Sequence, residues 1–342
     1  MGSTRRQEQE PATEEVTEVG PGVLRLQLPI SMPGLGHVNC YALEDERGVA
    51  LVDPGLPGPD SYRALTARLS DAGYPLARVH TVIVTHSHPD HFGGAGRLRD
   101  ETGAAVVGHR SFSTWWDPAE PADVELEPVA DSFSRSTPWD EHGYGDEWRA
   151  QSGMTNMQEL RALMSTPKPS VHLDDADVIQ LAGREWVAVH TPGHTHDHLC
   201  LFDPVEGILL SGDHVLPTIT PHISGMGTSA DPLAQFFASL DRMHDLEGVT
   251  IALPAHGHPF AGLDERVEAI KVHHEERLEL LRKASIQLGR PATVRELSTH
   301  LFSPRAQGPM ADSETYAHLE HLRLAGHAKV TSVDGRLEYL VD

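Results

Sequence analysis

The chain has 342 residues, 39% hydrophobic and 23% charged, which allows one large or two ordinary globular domains and rules out bulk disorder or a repetitive fibre. Lys and Arg number 27 against 50 Asp and Glu, and a formal charge of −23 repels phosphate backbones, arguing against nucleic acid as a partner. Only two cysteines occur, Cys40 and Cys200, both in apolar strand-like runs, so a disulfide scaffold is excluded and a reducing compartment fits.

The N-terminal stretch has no apolar segment of the kind a secretory signal needs. No apolar run approaches the roughly 18 residues that cross a bilayer. The expectation is a cytoplasmic protein with no membrane association. The unusual count is 23 His, a density that points to metal or proton chemistry.

Residues 1–18 are polar, acidic and aperiodic, and are expected to be a disordered tail. Short apolar runs bounded by Gly and Pro follow at Val23–Leu28, Val38–Leu43 and Val49–Val52, the last ending in Asp53-Pro54-Gly55, and read as strands of a meander. Ser61–Ala72 is amphipathic at helical period, and Val79–Val84 is a buried strand that delivers the chain into Thr85-His86-Ser87-His88. A strand at Ala104–Gly108 precedes a change of character. Ser111–Ser170 holds four of the five Trp (Trp115, Trp116, Trp139, Trp148) and eleven Asp or Glu against four Lys or Arg, so it reads as an insertion. Two roles are open for it: a helical lid over a cleft, or a small subdomain whose Trp anchor it to the body.

Strand signals resume at Val178–Leu181, Trp186–His190, Leu199–Phe202, Ile208–Ser211 and Thr250–Leu253. Two strand-rich halves thus flank the insertion and suggest an α/β body with helices covering a sheet. Beyond it, Asp264–Leu288, Thr293–Leu301 and Ser313–Ala325 read as helices, followed by Ala328–Thr331 and Arg336–Val341 joined by Val333-Asp334-Gly335. Three helices and a hairpin over 265–342 suggest a winged-helix module. That segment carries 11 basic and 12 acidic residues, and its candidate recognition helix, Glu314–Arg323, has one Arg against two Glu. A groove reader would be basic, so the module is expected to serve as a packing or dimerising surface, with a homodimer as one outcome.

The strongest chemical signal is Thr85-His86-Ser87-His88-Pro89-Asp90-His91, directly after a buried strand and followed by Gly93-Gly94. Three imidazoles and a carboxylate within six residues converge only if something cationic offsets their crowding, and a divalent metal does so. Three further pieces follow strand ends: Thr191-Pro192-Gly193-His194, Ser211-Gly212-Asp213-His214 and Pro254-Ala255-His256-Gly257. As an ordered set of four, these pieces resemble the signature of the metallo-β-lactamase superfamily: H-x-H-x-D-H, then a lone His, an Asp and a final His.

The resemblance covers residues 19–264 as one α/β domain and implies an αββα sandwich with the site at one edge of its two sheets. It further implies that His86, His88 and His194 hold one metal, that Asp90, His91 and His256 hold a second, and that Asp213 bridges them. Two cations sharing a hydroxide would acidify it and polarise the carbonyl or phosphoryl oxygen under attack, with Asp90 orienting it and passing a proton to the leaving group. Imidazole and carboxylate without thiolate suit Zn²⁺ and tolerate Fe²⁺ or Mn²⁺. Asp at position 213, where β-lactamases usually carry Cys, makes the chain look like the glyoxalase II and ribonuclease branches. The core followed by a winged helix looks like the β-lactamase-like 2 group.

The expected activity is hydrolysis of a small-molecule ester, thioester or lactone. Cleavage of single-stranded RNA is the alternative, weakened by the missing basic stripe. Among the other histidines, His196, His198 and His214 adjoin ligand positions as candidate orienters or substrate contacts. His273, His274, His318 and His321 are expected on helix surfaces.

Overall fold

A computed structural model describes residues 6–32, 34–114, 136–144 and 167–342. Two sheets stack face to face. The first holds seven strands in sequence order: β1 (Val16–Gly20), β2 (Val23–Met32), β3 (Leu35–Asp45), β4 (Gly48–Val52), β5 (Val79–Ile83), β6 (Ala105–His109) and β7 (Val171–Leu173). It is antiparallel through β4 and parallel from β4 to β7. The second runs β12-β11-β10-β9-β8, from β8 (Val178–Leu181), β9 (Arg184–His190), β10 (Leu199–Asp203), β11 (Ile208–Gly212) and β12 (Ile251–Pro254).

Strands β4, β10 and β11 are buried along their whole length and read as apolar runs, with Asp203 and Ser211 the polar residues near the ends of β10 and β11, because both of their faces are covered. Tyr41, Leu43, Val52 and Ile83 of the first sheet meet Trp186, Leu201, Leu210 and Leu253 of the second. On the outer face of the first sheet, α1 (Pro59–Asp71) and α3 (Ala95–Thr102) contribute Tyr62, Leu65, Leu69 and Leu98 to a second cluster with β2 to β5. The one-turn α2 (Pro89–Phe92) sits between them. On the outer face of the second sheet lies α4 (Pro232–His244), whose first turn is capped by Asp231 accepting from the Ala234 N–H (2.9 Å). Helix, sheet, sheet and helix are thus layered as the resemblance implies.

The C-terminal segment contains α5 (Leu263–Leu288), β13 (Ala292–Thr293), α6 (Val294–Leu301), α7 (Pro309–Leu324), β14 (Ala328–Val333) and β15 (Arg336–Val341), with sheet order β13-β15-β14. A reciprocal Thr293 and Glu296 capping box starts α6. This module is not tethered at a distance. Val267, Ile270, Leu319, Leu322 and Tyr339 share one apolar cluster with Leu233, Phe236, Leu240 and Met243 of α4 and with Cys200 and Leu209 of the second sheet.

Three sequence expectations change here. Part of the segment read as a tail is structured: Glu8 is fully buried in a short 3-10 turn and Val16–Gly20 pairs with β2. The Glu8 carboxylate accepts from the Thr218 and Ile219 N–H groups (2.8 and 3.1 Å) and the Thr218 hydroxyl, so its charge is met locally and the composition is misleading. His274 and His318, expected on helix surfaces, are fully buried, because α5 and α7 face each other. Of the insertion's Trp cluster, Trp115, Trp116 and Trp148 lie outside the described residues. Trp139 is buried, packs at 5.0 Å from the Tyr316 ring of α7, and donates to Tyr144, which donates to Asp312. Trp139 therefore fastens its segment to the C-terminal module.

Candidate metal centre

Every candidate ligand of the four motifs sits past the C-terminal end of a strand, and those ends meet at one edge of the sandwich. Strand β5 leads into His86, His88 and α2 with Asp90 and His91, β9 into His194, β11 into Asp213 and β12 into His256. Two of the turns require glycine. At Gly193 (φ +139°) a Cβ would lie 2.5 Å from the Phe236 Cα, and at Gly212 (φ +52°) 2.6 Å from His198 Nε2. Close approach of backbone to neighbours is what brings His194 and Asp213 into the cluster.

Two groups form. His86, His88, His194 and Asp213 bring their ligand atoms within 4.8 Å of one another, and so do Asp90, His91 and His256. Asp213 lies between the groups: its Oδ2 is 3.5 Å from His194 Nε2, 3.9 Å from His86 Nε2 and 3.5 Å from His91 Nε2, while its Oδ1 is 3.4 Å from His256 Nε2. Asp90 Oδ2 is 3.6 Å from His91 Nε2 and 3.4 Å from His256 Nε2. All seven positions named by the motifs are therefore brought together.

The ring nitrogens show whether this arrangement suits a cation. His194 Nδ1 donates to the His222 carbonyl (2.7 Å) and His256 Nδ1 to the His37 carbonyl (2.7 Å). His91 Nδ1 donates to Asp53 Oδ2 (2.8 Å). His86 Nδ1 donates to Thr85 Oγ1 (3.0 Å), whose own proton goes to Asp53 Oδ2 (2.7 Å). A neutral imidazole carries one proton, so Nε2 of each ring is left as a lone pair pointing inward. His88 Nδ1 then lies 3.0 Å from both His86 Nε2 and His194 Nε2 and can donate to only one of them. Nε2 of His91, Nε2 of His256 and Oδ1 of Asp213 are buried without a hydrogen-bond partner. Converging lone pairs fit a divalent cation, and the nitrogen and oxygen donors suit Zn²⁺ or a similar first-row metal.

The electrostatics agree. Burial and the neighbouring imidazoles push His88 down to about 3 and His86 well below its usual value, which keeps both rings neutral as ligands must be. Burial pushes Asp90 up, but His91 and His256 outweigh it and hold the carboxyl at about 2. Burial also lowers His91 and His256, but Asp213 and Asp90 more than reverse this and draw both rings upward. Positive charge is favoured where the two carboxylates point.

Of the candidate neighbours, His198 is part of this architecture: its Nε2 accepts the Asp213 N–H (3.0 Å) and its Nδ1 donates to Thr191 (2.7 Å). His214 turns into the core against Phe236, and His196 lies at the rim, donating to the Ser111 carbonyl (2.9 Å). Sequence reasoning missed Asp53, Thr85, and the carbonyls of His37 and His222. Asp53 ends β4 beside β5 in parallel, and its place at a strand terminus was the available signal.

The metallo-beta-lactamase superfamily model matches residues 33–258. A metallo-beta-lactamase family protein from Thermus thermophilus is 30% identical, covering 94% of this chain and 99% of that one with a TM-score of 0.73. The probable metallo-hydrolase YqjP of Bacillus subtilis is 24% identical over 88% of this chain and 92% of its own length. An atrochrysone carboxyl ACP thioesterase of Aspergillus fumigatus is 25% identical over 80% of this chain and 48% of its own length. The chain belongs to the metallo-beta-lactamase superfamily and is a hydrolase of that group.

Proposed function

We propose that the protein is a di-metal hydrolase of small esters, thioesters or lactones, with thioesters the first class to test. The ligand set is that of the motifs: His86, His88 and His194 for one cation, Asp90, His91 and His256 for the other, and Asp213 for both. Asp213, with its carboxylate oxygens facing both groups, is the observation that carries the reading. The thioesterase named among the relatives supports the substrate class. Zn²⁺ is the proposed metal.

Bound cations of this kind acidify a water molecule and polarise the carbonyl it attacks. The chain's own residues do the rest. His86 and His91 are fully buried and His256 is 1% exposed, whereas Asp213 and His194 are 7% and 6% exposed and His88 is half-buried. A substrate therefore approaches over His88, His194 and Asp213, with the opposite wall closed to water. Asp90, held as a carboxylate, accepts a proton from the attacking water on the oxygen not turned toward His91 and His256 and returns it to the departing thiol or alcohol.

The C-terminal module, read as a winged helix, supports a small substrate over RNA. The helix that would enter a groove is α7, and Glu314, Thr315, Ala317, His318, Leu319 and Leu322 on it are buried, with α4, α5 and α6 packed against the helix. The acidic body, −23 over the whole chain, adds to this. The test is a panel of acyl thioesters, lactones, phosphodiesters and single-stranded RNA against zinc-loaded and iron-loaded protein. Thioester or ester turnover that disappears in Asp213→Ala is expected. Metal-dependent RNA cleavage with no acyl turnover would overturn the substrate class, and metal content well under one per chain would overturn the di-metal reading.

A further inference from the structure

The loop that follows Asp213 carries a second connection to the cleft. Its residue His222 offers the carbonyl to which His194 Nδ1 donates (2.7 Å), and so holds the ring with Nε2 facing inward. That loop is gripped by the start of α7. The His222 Nδ1–H donates to Glu314 Oε2 (3.2 Å), Ser313 Oγ accepts the Gly225 N–H (3.1 Å), and the Ser224 and Ser313 hydroxyls lie 3.3 Å apart. Gly225 lies so close to α7 that a Cβ there would be 2.5 Å from the Tyr316 ring and 2.7 Å from the Ser313 carbonyl. The Arg277 Nε of α5 is 3.7 Å from the other Glu314 oxygen and steadies the carboxylate.

We infer that the C-terminal module is a positioning element for the metal centre: Glu314, through His222, sets the orientation of His194 and with it the affinity of the site that His194 shares with His86 and His88. Glu314 and His222 are positioning residues, since neither side chain is assigned to a cation or to substrate. The inference rests on the ligand set proposed above. Its rival is plain fastening, in which the same contacts hold the module to the body and leave cation binding untouched. Outer partners of metal-bound imidazoles are worth about 10–100-fold in affinity, so the two readings differ measurably.

The experiment is a Co²⁺ titration of metal-free full-length protein, followed by visible absorption, with thermal melts alongside. Expected are two binding events in the parent, one of them weakened about tenfold or more in Glu314→Ala, with partial recovery in Glu314→Gln, whose amide oxygen still accepts from His222. His222→Ala, which keeps the carbonyl, should track Glu314→Ala, and the double variant should be no worse than either single one. If Glu314→Ala does not fold, His222→Ala carries the comparison alone. Tyr339→Phe is the control, removing the hydrogen bond of the Tyr339 hydroxyl to Glu320 (2.6 Å), which lies within the module. It should lower the melting temperature and leave both binding events unchanged. Parent-like titrations in Glu314→Ala and His222→Ala would overturn the inference and leave the ligand set standing, as would an equal weakening in Tyr339→Phe. A parent that binds no Co²⁺ would overturn the ligand set itself and this inference with it.

Discussion

Among the described residues, two clusters of buried histidine could hold a metal by proximity alone, and they differ in what their lone pairs meet. At the cleft, His88 Nδ1 approaches His86 Nε2 and His194 Nε2 to 3.0 Å, while the Nδ1 atoms of His86, His91, His194 and His256 are committed to Thr85, Asp53 and two carbonyls. The ion-pair partners of Asp90 and Asp213, among the described residues, are imidazoles. Between α5 and α7, His274, Glu314 and His318 also gather within 4.8 Å, all buried. There the approach of 3.1 Å is an ordinary hydrogen bond: His318 Nδ1 donates to the Glu314 carbonyl, so its Nε2 is free to accept from His274 Nδ1. Glu314 is met by His222 and Arg277 rather than left facing lone pairs. Proximity of histidines is thus weak evidence for a cation. Lone pairs that face one another beside carboxylates met by imidazoles alone are strong evidence.

The largest expected contrast is between Asp213→Ala and His274→Leu. Removing the carboxylate that faces both groups should lower metal affinity by more than the roughly 100-fold that outer partners cost, and abolish turnover. His274→Leu should leave metal content at the parental value while lowering stability by about 1–3 kcal/mol, the cost of stranding His318 Nε2 without a donor. Elemental analysis and urea unfolding separate the two. A loss of metal equivalents in His274→Leu would erase the distinction drawn between the clusters.

Asp53→Asn tests the same contrast one layer out. Asp53 accepts from His91 Nδ1 and from the Thr85 amide and hydroxyl, the amide at 2.8 Å. The amide variant is expected to weaken the site containing His91 by about 10–100-fold and the other site, which Asp53 reaches only through Thr85 and His86, by less. Equal weakening of both sites in a Zn²⁺ competition titration would mean that Asp53 serves the loop as a whole.

The seven motif positions were legible because each follows an apolar run whose end the topology brings to one edge, and the chemistry of H-x-H-x-D-H has few other uses. Asp53 was hidden inside Asp-Pro-Gly, which reads equally well as a turn. The strands β2 to β6 and β8 to β12 were legible from apolar runs and Gly or Pro boundaries. The segment from Arg6 to Gly20 was not, because an acidic stretch reveals nothing of backbone donors waiting about 200 residues away at Thr218 and Ile219. His274 and His318 were misplaced for a related reason: an amphipathic pattern shows one buried face, and α5 packs against α4, α6 and α7.

The acid side of the stability curve gives the smallest and most specific test of the pair between α5 and α7. Burial pushes His274 down to about 2 and His318 to about 4; the His318 ring adds to the effect on His274, and Glu314 partly opposes it at both. Both rings are neutral in the fold, while in the unfolded chain they take up protons near 6.5. Between those values the unfolded state binds more protons, so stability is complete above pH 6.5 and falls as the pH drops toward 4. Each ring contributes a slope of about 1.4 kcal/mol per pH unit in that window. His274→Leu should flatten the parental curve by about one such slope, read from urea unfolding of both proteins across the window, with the cleft histidines cancelling in the difference. Parallel curves would mean that His274 is charged in the fold, and the hydrogen-bonded neutral pair would have to be given up.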